Sequence, residues 1–282
     1  MVRKIAIKLI IFIREVYQRM KENELTDMAN ALSFKLILSV FPFVIFIMSC
    51  IAFLNLDLST FTAVLENEIP LSVRAIFRSF VDEVGDTKHL SLLSSSLLLT
   101  VFSASSGLYT LMRGLNRAYG AEERRGYFVQ RFISFLLVFV YAMLIIISLY
   151  VCIFSDKINE LIFGMSVEMP VIVVTARGYL LTAALIFVMI ILMYMLALVE
   201  RPRIRHLIPG TLFTMIGWLL LSKGFNIYVN NFSRYSTLYG SIGAIFIFAL
   251  WLNLLSYALL IGGQINAVLS DGDWIREVMN NE

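Results

Sequence analysis

The chain has 282 residues, of which 59% are hydrophobic and 15% are charged, and its net charge is +3 at pH 7. A soluble domain carries about 25% charged residues, so this composition excludes an ordinary soluble enzyme and indicates a protein whose solvent is lipid. Because a membrane-spanning helix needs about 20 residues, the length allows several spans within a single membrane domain, residues 1–282.

The first 27 residues predict an amphipathic helix on the cytoplasmic side of the membrane. One helical face is apolar and other positions supply cations; the apolar residues are Ile5, Leu9, Phe12 and Val16, and the cations are Lys4, Lys8, Arg14 and Arg19. The pattern suits a helix in the lipid headgroup layer and, equally, a helix that packs under the bundle. A cleaved signal peptide is not expected, because Lys8 interrupts the apolar run and no small-residue cleavage site follows.

Six long apolar stretches predict six membrane-spanning helices. They cover residues 36–54, 90–112, 132–154, 179–199, 207–229 and 242–269, and Lys223 is the one charged residue within them. Such runs are too long for the strands of a membrane barrel, which alternate over about 10 residues. The predicted fold class is therefore all-α, a polytopic helical bundle. Residues 55–89, between the first two spans, have apolar positions at helical spacing and predict a short amphipathic cap on the outer side.

The orientation follows from the lysines and arginines outside the spans. Alternate segments hold 16 of them on one side of the membrane and 6 on the other. Since cytoplasmic loops are the basic ones, both termini are predicted to lie in the cytoplasm. The basic turn 201–206 is expected to contact anionic lipid headgroups. The basic residues of segment 113–131 are interpreted as those of a cytoplasmic loop and not as a nucleic-acid site.

No arrangement of residues typical of an enzyme is found. The two histidines, His89 and His206, are predicted to lie on opposite membrane faces, and the phosphate-binding loop, Cys-x-x-Cys and His-Glu-x-x-His motifs do not occur. Both cysteines, Cys50 and Cys152, lie in apolar runs, as buried inert thiols do. We therefore expect no catalytic residue, no metal and no cofactor.

Polar residues in the second span allow two interpretations. Ser103 and Gly107 are four positions apart, as in contacts that let helix backbones approach closely. The hydroxyl groups of Ser103 and Ser106 are alternatively predicted to line a substrate or water path. Pro42, within the first span, is a candidate hinge, whereas Pro209 is predicted to lie in the first turn of the fifth span.

The fifth and sixth spans supply the other predicted substrate-path residues, Lys223, Asn226, Asn253 and Gln264. Lys223 is expected near the outer surface, where it either extends to the interface or forms a polar vestibule with Asn226. Asn253 lies near mid-membrane, so its amide must bond another helix, water or a substrate. Gln264 continues the same helical face toward the inner end.

Several motifs resemble the YihY/virulence factor BrkB family of bacterial inner-membrane proteins over nearly the whole chain. They are Ala31-Leu32-Ser33-Phe34, Leu115-Asn116-Arg117-Ala118-Tyr119-Gly120, Pro209-Gly210, Leu238-Tyr239-Gly240-Ser241-Ile242-Gly243-Ala244 and Gly262-Gly263-Gln264-Ile265-Asn266-Ala267. Lys35 and Asn253 stand where tyrosine-like residues are expected, and Gln264 stands where the family commonly has an acidic residue. The resemblance implies six helices and a role in transport or in the envelope.

Two functions are therefore expected. The first is a transporter or a translocator of lipids or other envelope components, indicated by the polar residues within the spans and by the lack of catalytic motifs. The alternative is a structural or scaffolding protein of the cell envelope, in which the same polar residues only hold helices together. The sequence indicates neither a substrate nor an oligomeric state.

Overall fold

The computed structural model describes residues 2–53, 90–121, 125–153, 171–199, 202–231 and 234–271. Every regular element in these ranges is an α-helix. The helices are α1 (Val2–Glu22), α2 (Leu25–Phe53), α3 (Leu90–Ala118), α4 (Tyr127–Ile153), α5 (Val171–Ala197), α6 (Ile204–Asn231) and α7 (Arg234–Asp271). The predicted outer cap, residues 55–89, lies outside the described part of the chain.

The length and composition of the described helices agree with six membrane spans. Five qualify by both criteria, namely Leu25–Phe46, Leu93–Ala118, Tyr127–Leu144, Ile204–Tyr228 and Ile245–Asp271. A sixth apolar stretch, Ala183–Ala197, lies within α5, which has 27 residues and so extends over about 40 Å. Helices form here because backbone groups in hydrocarbon must be bonded within their own segment. The predicted all-α, polytopic membrane fold is confirmed.

Several predicted boundaries differ from the observed ones. The amphipathic helix ends at Glu22 and not at residue 27, because the chain turns at Glu24, where φ is 50°, before α2 begins. The helix of the first span begins at Leu25 and not at 36, since polar residues before the apolar run remain helical. The fifth span begins at Ile204, so Pro209 lies inside α6, and its predicted place in the first turn is wrong.

The described helices form two compact units. Unit 1 contains described residues from Met1–Asn23, Met112–Ile216 and Ile261–Glu282, and unit 2 contains those from Glu24–Leu111 and Gly217–Leu260. In unit 1, α4 packs against α5. Its most deeply buried apolar side chains are Met112, Leu115, Ile190, Leu207 and Val268.

In unit 2 the helices are joined by small residues and by polar contacts. Gly107 lies against Leu36, whose Cδ2 would be 3.4 Å from a Cβ at this position, which supports the close-packing interpretation of the second span. Nε1 of Trp218 donates a 3.0 Å hydrogen bond to the carbonyl oxygen of Leu255. The rings of Phe225 and Trp251 stack with their centroids 5.7 Å apart.

In unit 1 the amphipathic helix α1 uses one side for packing. Val16 is buried and Phe12 is half-buried, whereas Leu9 is 56% exposed although it shares their predicted face. The helix therefore packs within unit 1 near its C-terminal end and leaves other apolar residues exposed. Its place in the lipid headgroup layer stays a prediction.

Candidate functional site

In unit 1, α6 and α7 approach closely at two glycines, Gly210 and Gly262. A Cβ on Gly210 would overlap the carbonyl oxygen of Gly262, and a Cβ on Gly262 would overlap Oγ1 of Thr214. The backbone N–H of Gly210 donates a 2.7 Å hydrogen bond to Oδ1 of Asn266. Both positions therefore require glycine for steric reasons, as small residues do where membrane helices cross.

A buried polar core surrounds this crossing and consists of Tyr194, Thr214, Gln264 and Asn266. The hydroxyl groups of Tyr194 and Thr214 are hydrogen-bonded at 2.7 Å. The Tyr194 hydroxyl also lies 2.5 Å from the place that a Cβ of Gly262 would take. Three helices, α5, α6 and α7, thus contribute to one polar cluster in the interior of unit 1.

Two amide groups of the buried polar core have donors that are not used. Gln264 and Asn266 are both 0% exposed. Among the described residues, no acceptor lies within hydrogen-bond distance of Gln264 Nε2 or of Asn266 Nδ2. Burying an amide without a hydrogen-bond partner costs several kcal/mol, as does the transfer of an amide from water to an apolar solvent. The core can therefore bind an acceptor group of a ligand or a water molecule.

A cleft with a volume of about 540 Å³ opens in unit 1 where α1, α3 and α7 end. Its lining comes from α1 and the residue after it (Glu15, Arg19, Glu22, Asn23), from the end of α3 and the turn that follows (Arg117, Ala118, Tyr119, Gly120) and from the end of α7 (Ala267, Ser270, Asp271). Charged side chains of both signs line the opening. No group of three or more His, Cys, Asp and Glu residues in the described ranges could hold a metal ion.

Arg19 ties two walls of the cleft together. Its Nε donates to Oε1 of Glu15 at 2.6 Å and its Nη2 donates to Oδ2 of Asp271 at 2.7 Å. Burial lowers the pKa of Arg19, but the hydrogen bonds and charges of Glu15 and Asp271 outweigh this effect and the pKa is raised overall. Arg19 therefore stays protonated and holds α1 against the end of α7.

The cleft and the buried polar core meet at Gln264. Nδ2 of Asn23, a residue of the lining, donates a 3.1 Å hydrogen bond to Oε1 of Gln264. Gln264 also precedes Ala267 by three residues and so lies one turn deeper on the same face of α7. Its side chain therefore lies beneath the cleft.

The rim formed by α3 owes its shape to a glycine. Gly120 has a φ of 62°, its N–H donates to the carbonyl oxygen of Arg117 at 3.0 Å, and the N–H of Ala121 donates to that of Asn116 at 3.0 Å. These two bonds form a Schellman motif, which satisfies the last carbonyl groups of the helix. Beside this turn, burial raises the pKa of the Tyr119 phenol, and the nearby Ser270 hydroxyl acts against the rise.

Asn116, one turn before this rim, caps the end of another helix. Its Nδ2 donates to the carbonyl oxygens of Met112 at 2.9 Å and Ala197 at 3.1 Å, and its Oδ1 accepts the N–H of Val199 at 2.8 Å. Ala197 is the last residue of α5, so this buried side chain satisfies backbone groups that the helix end would otherwise leave unbonded. Asn116 therefore fixes α3 and α5 at the base of the rim.

The residues predicted for a substrate path are distributed between the two units. Gln264 belongs to unit 1, and the other five belong to unit 2. There, Ser103 and Ser106 are half-buried, while Lys223 and Asn226 are exposed. Their role in a path stays a prediction.

Asn253 has the interhelical partners that its depth requires. Its Nδ2 lies 2.9 Å from Oδ1 of Asn30 and 3.1 Å from Oγ of Ser33, both on α2. The expectation that Asn253 contacts polar groups of another helix is therefore confirmed. Nearby on α2, Nζ of Lys35 donates a hydrogen bond to Oγ1 of Thr110 and lies 5.9 Å from the centroid of the Tyr109 ring.

Several residues of the site could not be found by sequence reasoning. Asn23 and Gln264 are 241 positions apart, so no local spacing connects them. In the sequence, nothing distinguishes Tyr194 and Thr214 from other residues of apolar helices. They come together because α6 and α7 cross closely at Gly262. The glycines themselves were a usable signal, because Pro209-Gly210 and Gly262-Gly263 interrupt otherwise bulky runs.

Comparison with known proteins agrees with the resemblance seen in the motifs. The chain is 29% identical over 260 residues to the "Putative ribonuclease-like protein YfkH" of Bacillus subtilis, covering 92% of this chain and 94% of that protein. A UPF0761 membrane protein of Alteromonas mediterranea is 25% identical, covering 90% and 86% of the two chains. A UPF0761 membrane protein of Histophilus somni is 26% identical, covering 93% and 91%. No solved structure matches the chain.

The glycines of the α6–α7 crossing and the capped rim of α3 lie in the segments that carried the resemblance. The family profile described as "Virulence factor BrkB" matches residues 16–278, which include all of unit 2, most of unit 1 and all of the cleft lining except Glu15. This multi-pass α-helical membrane protein belongs to the BrkB virulence factor family.

Proposed function

We propose that the protein is a transporter or translocator of a lipid or another envelope component in the bacterial inner membrane. One observation carries the proposal: Asn23, in the lining of the cleft, is hydrogen-bonded to Gln264, whose amide donor is buried and not bonded among the described residues. A binding cleft of about 300–1,000 Å³ with a few convergent polar groups is typical of small-molecule sites. Polar groups within spans typically mark a substrate path.

The proposal includes an orientation with both termini in the cytoplasm. Basic residues are divided 16 to 6 between the two sides, and the basic segments 1–35 and 113–131 fall on the same side. Both segments contribute to the cleft lining. In this orientation, the cleft opens toward the cytoplasm and the substrate enters from the inner leaflet or from the cytosol.

Membrane lipids are proposed as partners of α1. From residue 7 onward, where the structure describes its side chains, helix α1 leaves five large apolar side chains exposed, namely Ile7, Leu9, Ile10, Ile13 and Tyr17. Lys8, Arg14 and Lys21 on the same helix are exposed cations. Apolar residues beside cations suit the interface of a leaflet that contains anionic headgroups. No nucleic-acid partner is proposed.

We propose no enzymatic activity, although one relative carries a ribonuclease-like name. The described histidine, His206, has Nδ1 3.5 Å from the Ser270 hydroxyl, and its Nε2 accepts a hydrogen bond from Arg205 Nε at 3.2 Å. A base activates a hydroxyl nucleophile at about 2.6–3.2 Å. The longer distance between His206 and Ser270 does not favour a nucleophile–base pair.

The alternative function, a structural or scaffolding role in the envelope, is favoured by a different observation. The glycine crossing of α6 and α7 and the cap formed by Asn116 hold helices tightly and need no ligand. A scaffold of this kind needs neither the cleft nor the unused amide donors of Gln264 and Asn266. Substitutions in the cleft should therefore impair function in a transporter and leave function unchanged in a scaffold.

The test compares strains that lack the protein and are complemented with wild-type protein or with Arg19→Ala. Lipid and metabolite profiles of the envelope are measured at equal membrane abundance of the variants. Arg14→Ala is the matched control, because Arg14 is exposed on the same helix outside the cleft lining. A transporter predicts that the strain lacking the protein has an altered profile that wild type and Arg14→Ala restore and Arg19→Ala does not. Full restoration by Arg19→Ala at equal abundance would favour the scaffold.

A further inference from the structure

The cleft of unit 1 lies at the level of the lipid headgroups. The spans Leu93–Ala118 and Ile245–Asp271 both end among its lining residues, at Ala118 and at Asp271. Helix ends of this kind reach the boundary between hydrocarbon and water, where headgroups lie. The volume of about 540 Å³ is large enough for the polar part of a phospholipid.

The charges at the opening favour a ligand that carries a cation. Three carboxylates, Glu15, Glu22 and Asp271, face the cleft together with two guanidinium groups, Arg19 and Arg117. Arg19 already bonds both Glu15 and Asp271. Glu22 is exposed and accepts a 3.1 Å hydrogen bond from Gln18 Nε2, a neutral donor, and within the described part of the chain it forms no ion pair. The rim therefore attracts an ammonium group to Glu22.

The inner end of the cleft favours the opposite chemistry, because hydrogen-bond donors lie in its lining and directly behind it. Behind the lining, Gln264 is fully buried; its Oε1 accepts the hydrogen bond from Asn23, and its Nε2 has no acceptor among the described residues. Tyr119 and Ser270 belong to the lining, and their hydroxyl groups can also donate. Phosphate oxygens are strong acceptors that match such donors. A carboxylate at the rim and donors at the inner end together describe a zwitterionic binding site.

We propose that this cleft binds the headgroup of a zwitterionic phospholipid that bears a primary ammonium group. The phosphate lies toward Gln264 and the ammonium lies at Glu22. A lipid is favoured over a soluble phosphate ester because the cleft is at the ends of two spans, where acyl chains can remain in the bilayer. Such a phospholipid would be the substrate of the proposed translocator. Binding of the headgroup does not depend on translocation, but its biological role rests on the proposed function.

Binding is tested on the full-length protein in detergent by native mass spectrometry. The probes are phosphatidylethanolamine, phosphatidylglycerol and soluble phosphoethanolamine as a competitor. Wild-type protein should retain phosphatidylethanolamine more strongly than phosphatidylglycerol. Glu22→Gln should weaken phosphatidylethanolamine binding about 2- to 5-fold, as the loss of one exposed ion pair does, and should leave phosphatidylglycerol binding unchanged. Asp27→Asn is the matched control, because Asp27 is an exposed carboxylate outside the cleft lining.

Gln264→Leu should weaken the binding of both lipids, because both carry a phosphate. A substitution of the buried Gln264 also acts on folding, whereas Glu22→Gln is at an exposed position and keeps the test independent of folding. Equal retention of the two lipids by wild-type protein, or an effect of Asp27→Asn equal to that of Glu22→Gln, would overturn the proposal. If soluble phosphoethanolamine displaces the lipid at a concentration equal to that of the lipid, the cleft binds a soluble ligand, and the proposal of a lipid site is overturned as well.

The outcomes for binding and for function can be told apart. Selective lipid binding in vitro, without any change of the envelope profile in the strain lacking the protein, would support the headgroup site and reject translocation. A profile that depends on Arg19 without selective binding would support translocation and reject the headgroup site.

Discussion

Oδ1 of Asn266 accepts a 2.7 Å hydrogen bond from the backbone N–H of Gly210, which joins α7 to α6. At the same place, a Cβ on Gly210 would overlap the carbonyl oxygen of Gly262. A side-chain amide is thus bonded to the backbone of a neighbouring helix because neither glycine has a side chain. The close approach of the two helices depends on these three residues together.

Gly262→Ala should destabilise the protein. The added methyl group would overlap Oγ1 of Thr214 and crowd the Tyr194 hydroxyl, so the helices must separate. Overpacking of this kind costs about 1–3 kcal/mol. Thermal unfolding in detergent measures the effect, with Gly224→Ala as the control, because a Cβ on Gly224 has nothing within 4 Å. Equal melting temperatures for the two variants would contradict the tight crossing.

Gly120→Ala tests the rim of the cleft. The left-handed backbone at Gly120, with a φ of 62°, disfavours a residue with a Cβ by about 1–2 kcal/mol. Gly126→Ala is matched to it, since neither added Cβ would have an atom within 4 Å and only Gly120 has a positive φ. A lower melting temperature is expected for Gly120→Ala alone. If both variants melt alike, backbone strain does not shape this turn.

Asn253→Leu should lower stability, because Asn253 bonds Asn30 and Ser33 across to α2. Interhelical hydrogen bonds in membranes contribute about 0.6–2 kcal/mol. Ser256→Ala is the control, since the Ser256 hydroxyl bonds the carbonyl oxygen of Leu252 within its own helix. A fall in the melting temperature is expected for Asn253→Leu alone. A variant with full stability but impaired function would instead support a substrate path at Asn253.

The ion pair between Arg19 and Asp271 should stabilise the contact of α1 with α7 more than it stabilises the whole protein. Their side chains are 21% and 42% exposed, so a double-mutant cycle of Arg19→Met and Asp271→Asn should give a coupling of about 0.2–1 kcal/mol. Hydrogen exchange over Val2–Glu22 should be faster in Arg19→Met and unchanged in Arg14→Met. Added salt should speed exchange in the wild type too. If neither Arg19→Met nor added salt changes the hydrogen exchange, the ion pair does not hold α1 against α7.

The proposed orientation predicts which cysteines an impermeant reagent can reach from outside. In a background without Cys50 and Cys152, Asn231→Cys should be labelled in intact cells and Arg203→Cys should be labelled only after the cells are opened. The expectation rests on the division of basic residues, 16 to 6 between the two sides. The reverse labelling pattern would invert the orientation and would move the cleft to the outer face.

The helices were predictable because an apolar run of about 20 residues in lipid has no stable alternative to an α-helix. Their ends were not, since polar residues such as Asp27 and Lys35 continue α2 although they lie outside the apolar run. The position of Pro209 was wrong for the same reason, because Arg205 and His206 belong to α6.

Part of the candidate site was also predictable. Asn253 is a polar residue at a depth where lipid offers no partner, so a polar partner or water was required, and Gln264 was predicted to continue the same helical face. Which partner it would be was not predictable, because many polar side chains share the same depth. From the sequence, Asn23 and Asn30 are equally suitable partners for either residue. In the structure, Asn23 bonds Gln264 and Asn30 bonds Asn253.

Composition and the order of residues along the chain determined that this is a multi-pass α-helical membrane protein of the BrkB family, because hydropathy and family motifs are properties of the linear chain. The tertiary structure alone decided that Arg19 bonds Asp271, that Gly210 meets Gly262 and that Gln264 lies beneath a charged cleft. These relationships depend on which faces of distant helices meet, and that is set by steric fit between side chains at the crossings.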